Sequence, residues 1–328
     1  MLVLSRADLE RLLTPREVVD ALEGAFALSA AGRADVQPRT SLAVGSDGVL
    51  LVMPAAIRDE TGGGRDLGSK LVSVYPGNRS RGHPTLNATY ILMDGATGRP
   101  LAIVEGTYLT ALRTGATSAL AARFLARRNA RRVVCFGAGV QAGFQLTCLA
   151  AVLPIEHVSV VGGDPTRTRS FVERMSRRLG VAVDLAGDPR NAVRTADVVT
   201  CATTSREPVV FGADLCKGTH LDLVGAFRPT DREADTEAIR RARLVVDTYA
   251  GAFEEAGDVL IPIKEGAIDR DHVAAELAEV VTGARPGRTR DDEITVFKSV
   301  GWALEDLATA RLAYNRAMAQ KVGIEVTL

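Results

Sequence analysis

The sequence predicts an α/β fold in which a doubly wound parallel sheet is joined to a smaller α+β domain. The chain has 328 residues, more than one hydrophobic core usually organises, so two domains of roughly 100 to 200 residues each are expected. Residues 33–105 hold short β-like runs broken by Gly and Pro, which indicates a mostly antiparallel sheet. From residue 132 onwards, apolar runs alternate with helical stretches, which is typical of parallel strands joined by helices.

The composition is that of a globular protein and argues against several classes of partner. Apolar residues make up 46% of the chain and charged residues 24%, which is enough for a sizeable core. The 40 basic and 40 acidic residues balance, and no basic run could follow a phosphate backbone, so nucleic acid is not an expected partner. The apolar runs are shorter than the ~20 residues that span a bilayer, and the N-terminus lacks the pattern of a secretory segment. We therefore expect a cytoplasmic protein without a membrane span.

Cysteine and histidine spacing gives no support for a disulfide framework or a metal site. The four cysteines include no CxxC pair, and the four histidines include no HxxxH pair. Neither a disulfide framework nor a bound metal is therefore expected.

The N-terminal part of the chain predicts an early helix, several strands and a long second helix. Thr14 and Glu17 stand at the spacing of a capping box, and apolar residues recur at helical intervals after them, so a helix is predicted over 15–31. Residues 94–98 predict a hairpin turn, and the Ala-rich stretch 107–127, which has no proline, predicts a helix. Strands are predicted at 41–44, 49–53, 67–74, 89–93 and 101–105.

The rest of the chain predicts the parallel sheet and a final helix that returns to the first domain. The stretch 283–292, rich in Gly, Pro, Arg and Asp, has the composition of a linker. The final helix is predicted over 302–321. The predicted domains are 1–116 with 300–328, and 117–299. Parallel strands are predicted at 132–136, 157–161, 198–202, 220–224, 244–247 and 293–298.

A glycine-rich turn follows the first parallel strand. Residues 137–142 have the GxGxxA form of the Rossmann fingerprint, between a predicted strand and a predicted helix. Gly137 permits the tight turn, Gly139 lets the backbone approach a pyrophosphate, and Ala142 permits close helix packing. The N-terminus of the helix faces that anion. The predicted cofactor contacts in the turn itself are Gly137, Ala138 and Gly139.

The end of the second parallel strand bears on the choice between NADP and NAD. Proteins specific for NAD usually place an acidic residue there, on the 2′-hydroxyl of the ribose. If Gly162 takes that position, no carboxylate repels a 2′-phosphate, and Arg167 or Arg169 can pair with it. NADP(H) is therefore favoured. Asp164 keeps NAD as the alternative, although a helix N-cap before Pro165 also explains this aspartate.

Three basic residues stand where a surface charge is not the simplest interpretation. Arg39 follows a proline, Lys70 interrupts an apolar strand, and Arg113 lies within the helix predicted over 107–127. For each one alone, a solvated charge on the surface of an element remains the alternative.

Five sequence markers in order resemble the ornithine cyclodeaminase and mu-crystallin family over nearly the whole chain. The resemblance implies a Rossmann domain and a substrate domain that is built from both chain ends and dimerises through its sheet. A homodimer is also expected because pairing covers the edges of the small sheet at 35–105. The markers are Gly-Ser-Lys at 68–70, Pro-Gly-Asn at 76–78 with Gly-His-Pro at 82–84, the run 106–115, the fingerprint with Gln141, and 296–301.

The resemblance implies a role for each of these residues. Arg39, Lys70 and Arg113 match positions that clamp the carboxylate of an α-imino or α-amino acid, with Arg113 and Lys70 next to the reaction. A lysine partly desolvated among cations has a lowered pKa, so Lys70 is expected to relay a proton, with a water held by Lys70 or Thr114 as the alternative. Further cofactor or substrate contacts implied by position are Thr85, Val140, Gln141, Thr203, Val224, Phe227, Lys298 and Val300.

Position 227 separates the branches of the family. Ornithine cyclodeaminases carry an aspartate there that transfers a proton, and Phe227 cannot do this. The resemblance therefore favours reduction of a cyclic α-imino acid, such as pyrroline-2-carboxylate or piperideine-2-carboxylate, to the L-amino acid. Ornithine or lysine cyclodeaminase and alanine dehydrogenase remain alternatives, since Asp222 or Asp231 could substitute. An alternative of another class is a mu-crystallin-like protein that binds a dinucleotide or ligand.

Overall fold

The structure is a computed structural model that describes residues 1–45 and 48–327, apart from the side chain of Arg79. It confirms the predicted α/β fold class. The chain divides into two compact units, the first formed by Met1–Arg113 with Trp302–Leu328 and the second by Thr114–Gly301. The boundaries lie at 113/114 and 301/302, beside the expected 116/117 and 299/300.

The described elements are numbered in chain order. The strands are β1 Leu2–Leu4, β2 Ala34–Val36, β3 Thr40–Val44, β4 Gly48–Arg58, β5 Gly64–Val74, β6 Leu86–Asp94, β7 Pro100–Glu105, β8 Arg132–Phe136, β9 His157–Val161, β10 Ala182–Leu185, β11 Val198–Cys201, β12 His220–Leu223, β13 Arg243–Val246, β14 Val273–Glu276, β15 Thr295–Lys298 and β16 Ile324–Glu325. The α-helices are α1 Arg6–Leu12, α2 Pro15–Ala30, α3 Gly106–Leu125, α4 Val140–Ala150, α5 Pro165–Leu179, α6 Pro189–Arg194, α7 Thr236–Arg240, α8 Tyr249–Glu255, α9 Gly257–Lys264, α10 Leu277–Val281 and α11 Ala303–Gln320. Among the described residues, no helix is both long and apolar enough to cross a membrane.

The first unit is a sheet packed against α2 and α11. Its strand order is β16-β1-β7-β6-β5-β4-β2, with β3 also paired to β4. The pairing is antiparallel except between β1 and β7, which is parallel. The α11 helix contacts β4, β5 and β6, as expected for a final helix that returns to this unit. The strands β1, β2 and β16 were not expected, because three residues or fewer carry no readable alternation.

The helices α2 and α11 contact each other through an ion pair and through a pair of aromatic rings. Thr14 and Glu17 form the predicted capping box at the start of α2. The same Glu17 carboxylate accepts a hydrogen bond of 2.7 Å from Arg316 of α11. Phe26 and Trp302 lie with their ring centroids 5.5 Å apart. Residues from opposite ends of the chain thus pack together in the first unit.

The second unit is a parallel sheet with strand order β10-β9-β8-β11-β12-β15-β13-β14. Every residue of β11, β12 and β15 is buried, which is typical of parallel strands covered on both faces. The short edge strands β10 and β14 were not expected. Since β8, β11 and β12 are parallel neighbours, their carboxyl ends meet at one edge of the sheet. In open sheets of this kind, ligands bind at that edge.

The stretch 283–292 is an ordered part of the second unit, so the sequence-based interpretation of it as a linker is wrong. The Arg288 guanidinium donates hydrogen bonds to the carbonyls of Leu125 at 2.7 Å and Gly218 at 3.2 Å. Gly287 packs on Phe124 so closely that a Cβ would lie 2.5 Å from its carbonyl oxygen. Loop composition alone could not reveal these contacts with distant backbone groups.

Candidate functional site

The glycine-rich turn joins β8 to α4 and leaves space beside its second glycine. Gly137 has φ of 113°, and a Cβ there would lie 2.5 Å from the Ala202 carbonyl oxygen, so only glycine fits. A Cβ at Gly139 would meet no atom within 4 Å. Ala142 is fully buried against the sheet. The turn therefore combines a constrained backbone with open space above the N-terminus of α4.

A cavity of about 330 Å³ opens beside this turn. Val140, the first residue of α4, is 74% exposed and lines the cavity, so its side chain is accessible to a ligand. The amide groups of the first helical turn and the nearby arginines favour an anion. The site therefore fits the pyrophosphate of a dinucleotide. The lining residues are Ala138, Gly139, Val140, Thr166, Arg167, Ser170 and Arg174.

The loop between β9 and α5 carries the residues expected near the ribose. A Cβ at Gly162 would overlap the hydroxyl of Thr168, so an acidic side chain has no room there. Asp164 is the N-cap of α5, where its carboxylate accepts the backbone N–H of Arg167 at 2.9 Å. The capping alternative for Asp164 is thus present in the structure. The Arg167 side chain lines the cavity.

The loops after β11 and β12 lie at the same edge of the sheet as the turn. Thr203 donates its backbone N–H and its hydroxyl to Glu233, each at 2.8 Å. The backbone N–H of Val224 donates to Cys201 at 3.1 Å. Phe227 is 51% exposed, with the Arg228 guanidinium 5.9 Å from its ring centroid. Position 227 therefore carries an aromatic ring, and this side chain has no group that could transfer a proton.

Val300 and Lys298 are held in different ways at the end of β15. The backbone N–H of Val300 donates to the Asp247 carboxylate at 2.7 Å. The Lys298 side chain is fully buried, with its amine 2.8 Å from Asp258 and 2.5 Å from the carbonyl oxygen of Ala226. The lysine expected to contact the cofactor is therefore enclosed, and it reaches the edge of the sheet through the Ala226 carbonyl. Gln141, on the first turn of α4, is half-buried.

In the first unit, two of the three predicted cations lie together in the interior. Lys70 of β5 is 1% exposed and Arg113 of α3 is 5% exposed. The Asp306 carboxylate bridges them, at 2.7 Å from Lys70 Nζ and 3.0 Å from Arg113 Nε. Arg113 Nη1 also lies 2.5 Å from Glu305. The surface-charge alternative is wrong for both cations.

The other two predicted site residues of the first unit lie nearer to its surface. Arg39 is partly exposed just before β3, and Thr85 is exposed just before β6. The carbonyl of Thr85 accepts the backbone N–H of Tyr75 at 2.8 Å.

Burial in the cluster of Lys70, Arg113, Glu305 and Asp306 shifts the pKa of both cations. Burial lowers the pKa of Lys70 to about 8, although Asp306 opposes this shift. Burial also acts to lower the pKa of Arg113, but Asp306 and Glu305 outweigh it and raise that pKa. Two positive and two negative groups balance, so the site is not the simple cationic pocket that the sequence suggested.

Glu305 and Asp306 were missed at the sequence level. Both are fully buried at the start of α11. Acidic residues are common in the first turn of a helix, where they complement its dipole, so their presence there carried no signal for a buried ion cluster. Their position between Leu304 and Leu307, inside an apolar stretch, was the available hint.

The turn, the cavity and the parallel sheet together define a dinucleotide-binding protein of the α/β class. The chain belongs to the ornithine cyclodeaminase/mu-crystallin family, whose model matches residues 1–321. At the level of class, the comparisons define an NAD(P)-dependent enzyme that reduces the C=N bond of an imino acid.

Three relatives illustrate the similarity. A Bacillus cereus Delta(1)-pyrroline-2-carboxylate reductase is 36% identical over 328 residues, which cover 99% of each chain. The structure of the Thermococcus litoralis Delta(1)-pyrroline-2-carboxylate reductase in complex with NADH and L-proline is 43% identical, with a TM-score of 0.94, over 99% of this chain and 100% of that one. An archaeal alanine dehydrogenase dimer with bound NAD is 35% identical, with a TM-score of 0.92, over 100% of this chain and 99% of that one.

Asp306→Asn should destabilise the first unit strongly. The change leaves Lys70 and Arg113 buried without the carboxylate that bridges them, and breaking a buried ion pair in this way costs about 3–5 kcal/mol. Urea unfolding measures the loss. Glu10→Gln is the control, because it removes a surface pair with Arg6 on a helix and should cost only about 0.5 kcal/mol. Equal effects of the two changes would show that the buried cluster does not stabilise the fold.

Proposed function

We propose that this chain reduces a cyclic α-imino acid, such as pyrroline-2-carboxylate or piperideine-2-carboxylate, to the L-amino acid. The observation that carries the proposal is the interior pairing of Lys70 and Arg113 through Asp306. Glu305 and Asp306 balance the charge of both cations and fix their positions, so we propose that the cations orient a substrate carboxylate next to the reacting carbon through directed hydrogen bonds. Relatives that are named as pyrroline-2-carboxylate reductases support the same substrate class.

The proposed roles follow from the needs of the reaction. A bound NAD(P)H supplies a hydride, which only an electron-poor carbon such as that of a protonated C=N can accept. Arg113 and Lys70, with Arg39, hold the substrate carboxylate by charge-assisted hydrogen bonds and so fix the orientation of the C=N bond. Because Asp306 holds both cations, their spacing is set before the substrate arrives.

Reduction of C=N also requires a proton on the nitrogen, and Lys70 is the proposed source. A pKa of about 8 leaves the amine mostly protonated near pH 7 yet able to release its proton. A water held by Lys70 or Thr114 is the alternative carrier. Phe227 has no group for proton transfer, which disfavours the cyclodeaminase alternative.

For the cofactor, we propose NADP(H) in preference to NAD(H). No carboxylate fits at Gly162, Asp164 is engaged as a helix cap, and Arg167 lines the cavity beside the fingerprint. A 2′-phosphate would gain the charge of Arg167 there. The proposed contacts are Gly137, Ala138, Gly139, Val140, Gln141, Gly162, Asp164, Arg167, Thr203, Val224 and Thr85, with Lys298 acting through Ala226.

We also propose that the first unit serves as the substrate and dimerisation domain of a homodimer, and the second as the dinucleotide domain. Strand β3 is exposed at every residue, and its Leu42 side chain is 60% exposed. Covering such a strand with a second copy would remove an unprotected sheet edge. A cytoplasmic location is proposed because Cys135, Cys148 and Cys201 are buried free thiols.

The substrate proposal is tested with a panel of purified compounds. We expect oxidation of NADPH with pyrroline-2-carboxylate or piperideine-2-carboxylate to be faster than with pyruvate plus ammonia, because a preformed cyclic imine needs no condensation. Arg113→Lys should lower kcat/KM by on the order of 100-fold, because a misplacement of about 1 Å has that effect. Its affinity for NADPH should be unchanged, because the fingerprint lies on other elements.

Arg113→Lys keeps a positive charge next to Glu305 and Asp306, which preserves the balance of the buried cluster. If its kcat/KM stays within a few-fold of the parent, Arg113 does not orient the substrate. Faster turnover of pyruvate with ammonia would favour alanine dehydrogenase, and release of ammonia from ornithine would favour a cyclodeaminase. NADPH binding with no turnover of any compound would favour a binding protein.

The pH profile should report the Lys70 amine. Since the protonated amine is the active form, we expect kcat/KM to fall as the pH rises above about 8. Lys70 is faced by Asp306 and Glu305 of α11, Arg113 of α3 and Tyr90, its partner on β6. Glu305→Gln removes a negative charge that raises the pKa of Lys70, so it should move the descending limb to lower pH.

If the descending limb came from titration of the substrate, it would lie at the same pH in the parent and in Glu305→Gln. A limb that does not move in Glu305→Gln would therefore exclude Lys70 as its origin.

The cofactor proposal predicts that Arg167→Ala weakens NADPH selectively. Loss of a charge-assisted hydrogen bond costs about 1.5–3 kcal/mol, which corresponds to roughly 10- to 150-fold in Kd. The Kd for NADH should change by less than about threefold, since NADH has no 2′-phosphate. Fluorescence titration measures both constants. Arg177→Ala, an exposed arginine in the last turn of the same helix, is the control. Tighter binding of NADH than NADPH by the parent would instead place Asp164 on the ribose.

A further inference from the structure

Glu233 is a buried carboxylate that joins the loops after β11 and β12. Its Oε1 atom accepts the backbone N–H and the hydroxyl of Thr203, both at 2.8 Å. Its Oε2 atom accepts the backbone N–H of Gly225 at 2.7 Å and that of Ala226 at 3.4 Å. The side chain is fully buried. One carboxylate thus satisfies donors from two separate loops.

The two loops approach each other closely at Gly225. A Cβ added to Gly225 would overlap Oε1 of Glu233 and would lie 2.5 Å from the Thr203 carbonyl oxygen. Glycine is therefore required at position 225 by the contact itself. The spacing of the two loops depends on the length and position of the Glu233 side chain.

A second acid fixes the backbone of Glu233, and one cation lies close enough to act on its carboxylate. The Asp258 carboxylate accepts the backbone N–H groups of Glu233 at 2.8 Å and Ala234 at 3.0 Å. Lys298 lies 2.8 Å from Asp258 and donates to the Ala226 carbonyl at 2.5 Å. Burial raises the pKa of Glu233, and the positive charge of Lys298 opposes that rise. Asp258 thus links Glu233 to Lys298, and Lys298 in turn binds the Ala226 carbonyl in one of the two loops.

The loops held by Glu233 adjoin the glycine-rich turn. Phe136 at the end of β8 is paired with Cys201 of β11, and Cys201 is paired with Leu223 of β12. The chain segments that follow these three residues therefore emerge side by side at one edge of the sheet. Gly137 makes close contact with Ala202, the residue before Thr203. A dinucleotide anchored at the turn would extend along this edge.

We propose that Glu233 is a positioning residue for hydride transfer, which sets the spacing of the Thr203 and Gly225 loops against which the nicotinamide end of the dinucleotide rests. Asp258 and Lys298 hold this carboxylate in place. The inference rests on the proposed function, because it assumes that the nicotinamide binds at this edge. It assigns a role to two buried carboxylates, Glu233 and Asp258, that the substrate and cofactor contacts leave unexplained.

Glu233→Gln is the decisive variant. An amide has one acceptor oxygen, so its NH₂ group would face the donors of either Thr203 or Gly225, and that loop would move. We expect kcat for pyrroline-2-carboxylate to fall by roughly 10- to 100-fold, as for a small misplacement of reacting groups. The Kd for NADPH should rise less than about threefold, because the fingerprint retains its contacts. The deuterium isotope effect on kcat, measured with NADPH deuterated at C4, should increase because the hydride step becomes slower.

The isotope effect separates positioning from a merely structural role. A structural defect would lower the amount of folded enzyme, counted by NADPH titration, and would leave kcat per binding site and the isotope effect unchanged. That result, with kcat within about threefold of the parent, would overturn the proposal. Glu237→Gln on α7 is the matched control, because it removes a partly exposed carboxylate paired with Arg240.

If Glu233→Gln does not fold, Glu233→Asp decides by the same criteria. It keeps the charge opposite Lys298, but its side chain is one methylene too short to bind both loops. A parent protein that is inactive with every imino acid would refute the proposed function, whereas an active parent with an unaffected Glu233 variant would refute only the role of Glu233.

Discussion

The Asp306 carboxylate and the two cations that it bridges impose the main constraint on the first unit. Charges removed from water must be paired, because an isolated buried charge costs far more than the fold can supply. Lys70 comes from β5 and Arg113 from α3, while Asp306 comes from α11 near the other end of the chain. Burial of Lys70 and Arg113 therefore requires α11 to be packed against the sheet. This explains why one unit contains both ends of the chain.

In the second unit, buried carboxylates are paired with backbone N–H groups, whereas in the first unit they are paired with charged side chains. Glu233 accepts hydrogen bonds from the loops after β11 and β12, and Asp247 accepts the N–H groups of Val300 at 2.7 Å and Gly301 at 2.8 Å after β15. Loops at the carboxyl edge of a parallel sheet leave donors that water would otherwise satisfy. Buried carboxylates replace that water and give the loops a defined geometry. The expected cofactor contacts are thus placed by acids that lie behind them.

The buried cluster of the first unit also shifts the pKa values of its two cations in opposite directions. Burial brings the pKa of Lys70 to about 8, close to neutral pH, whereas the two adjacent carboxylates keep the pKa of Arg113 above its ordinary value. A group that titrates near neutrality can give up a proton, and a group that never titrates can only orient. In the proposed mechanism, burial suits Lys70 to proton transfer, and the two adjacent acids suit Arg113 to fixed orientation of the substrate.

The sequence by itself determined the features that depend on neighbours in the chain. The alternation of strands and helices, the capping box of Thr14 and Glu17 and the turn at 137–142 are local patterns, and each was recognisable from spacing alone. Only the tertiary structure decided which buried charges meet. Lys70 and Asp306 are 236 residues apart in the chain, and nothing local distinguishes this aspartate from an ordinary acid in the first turn of a helix. Pair choices of this kind depend on packing between distant segments, which short-range patterns do not encode.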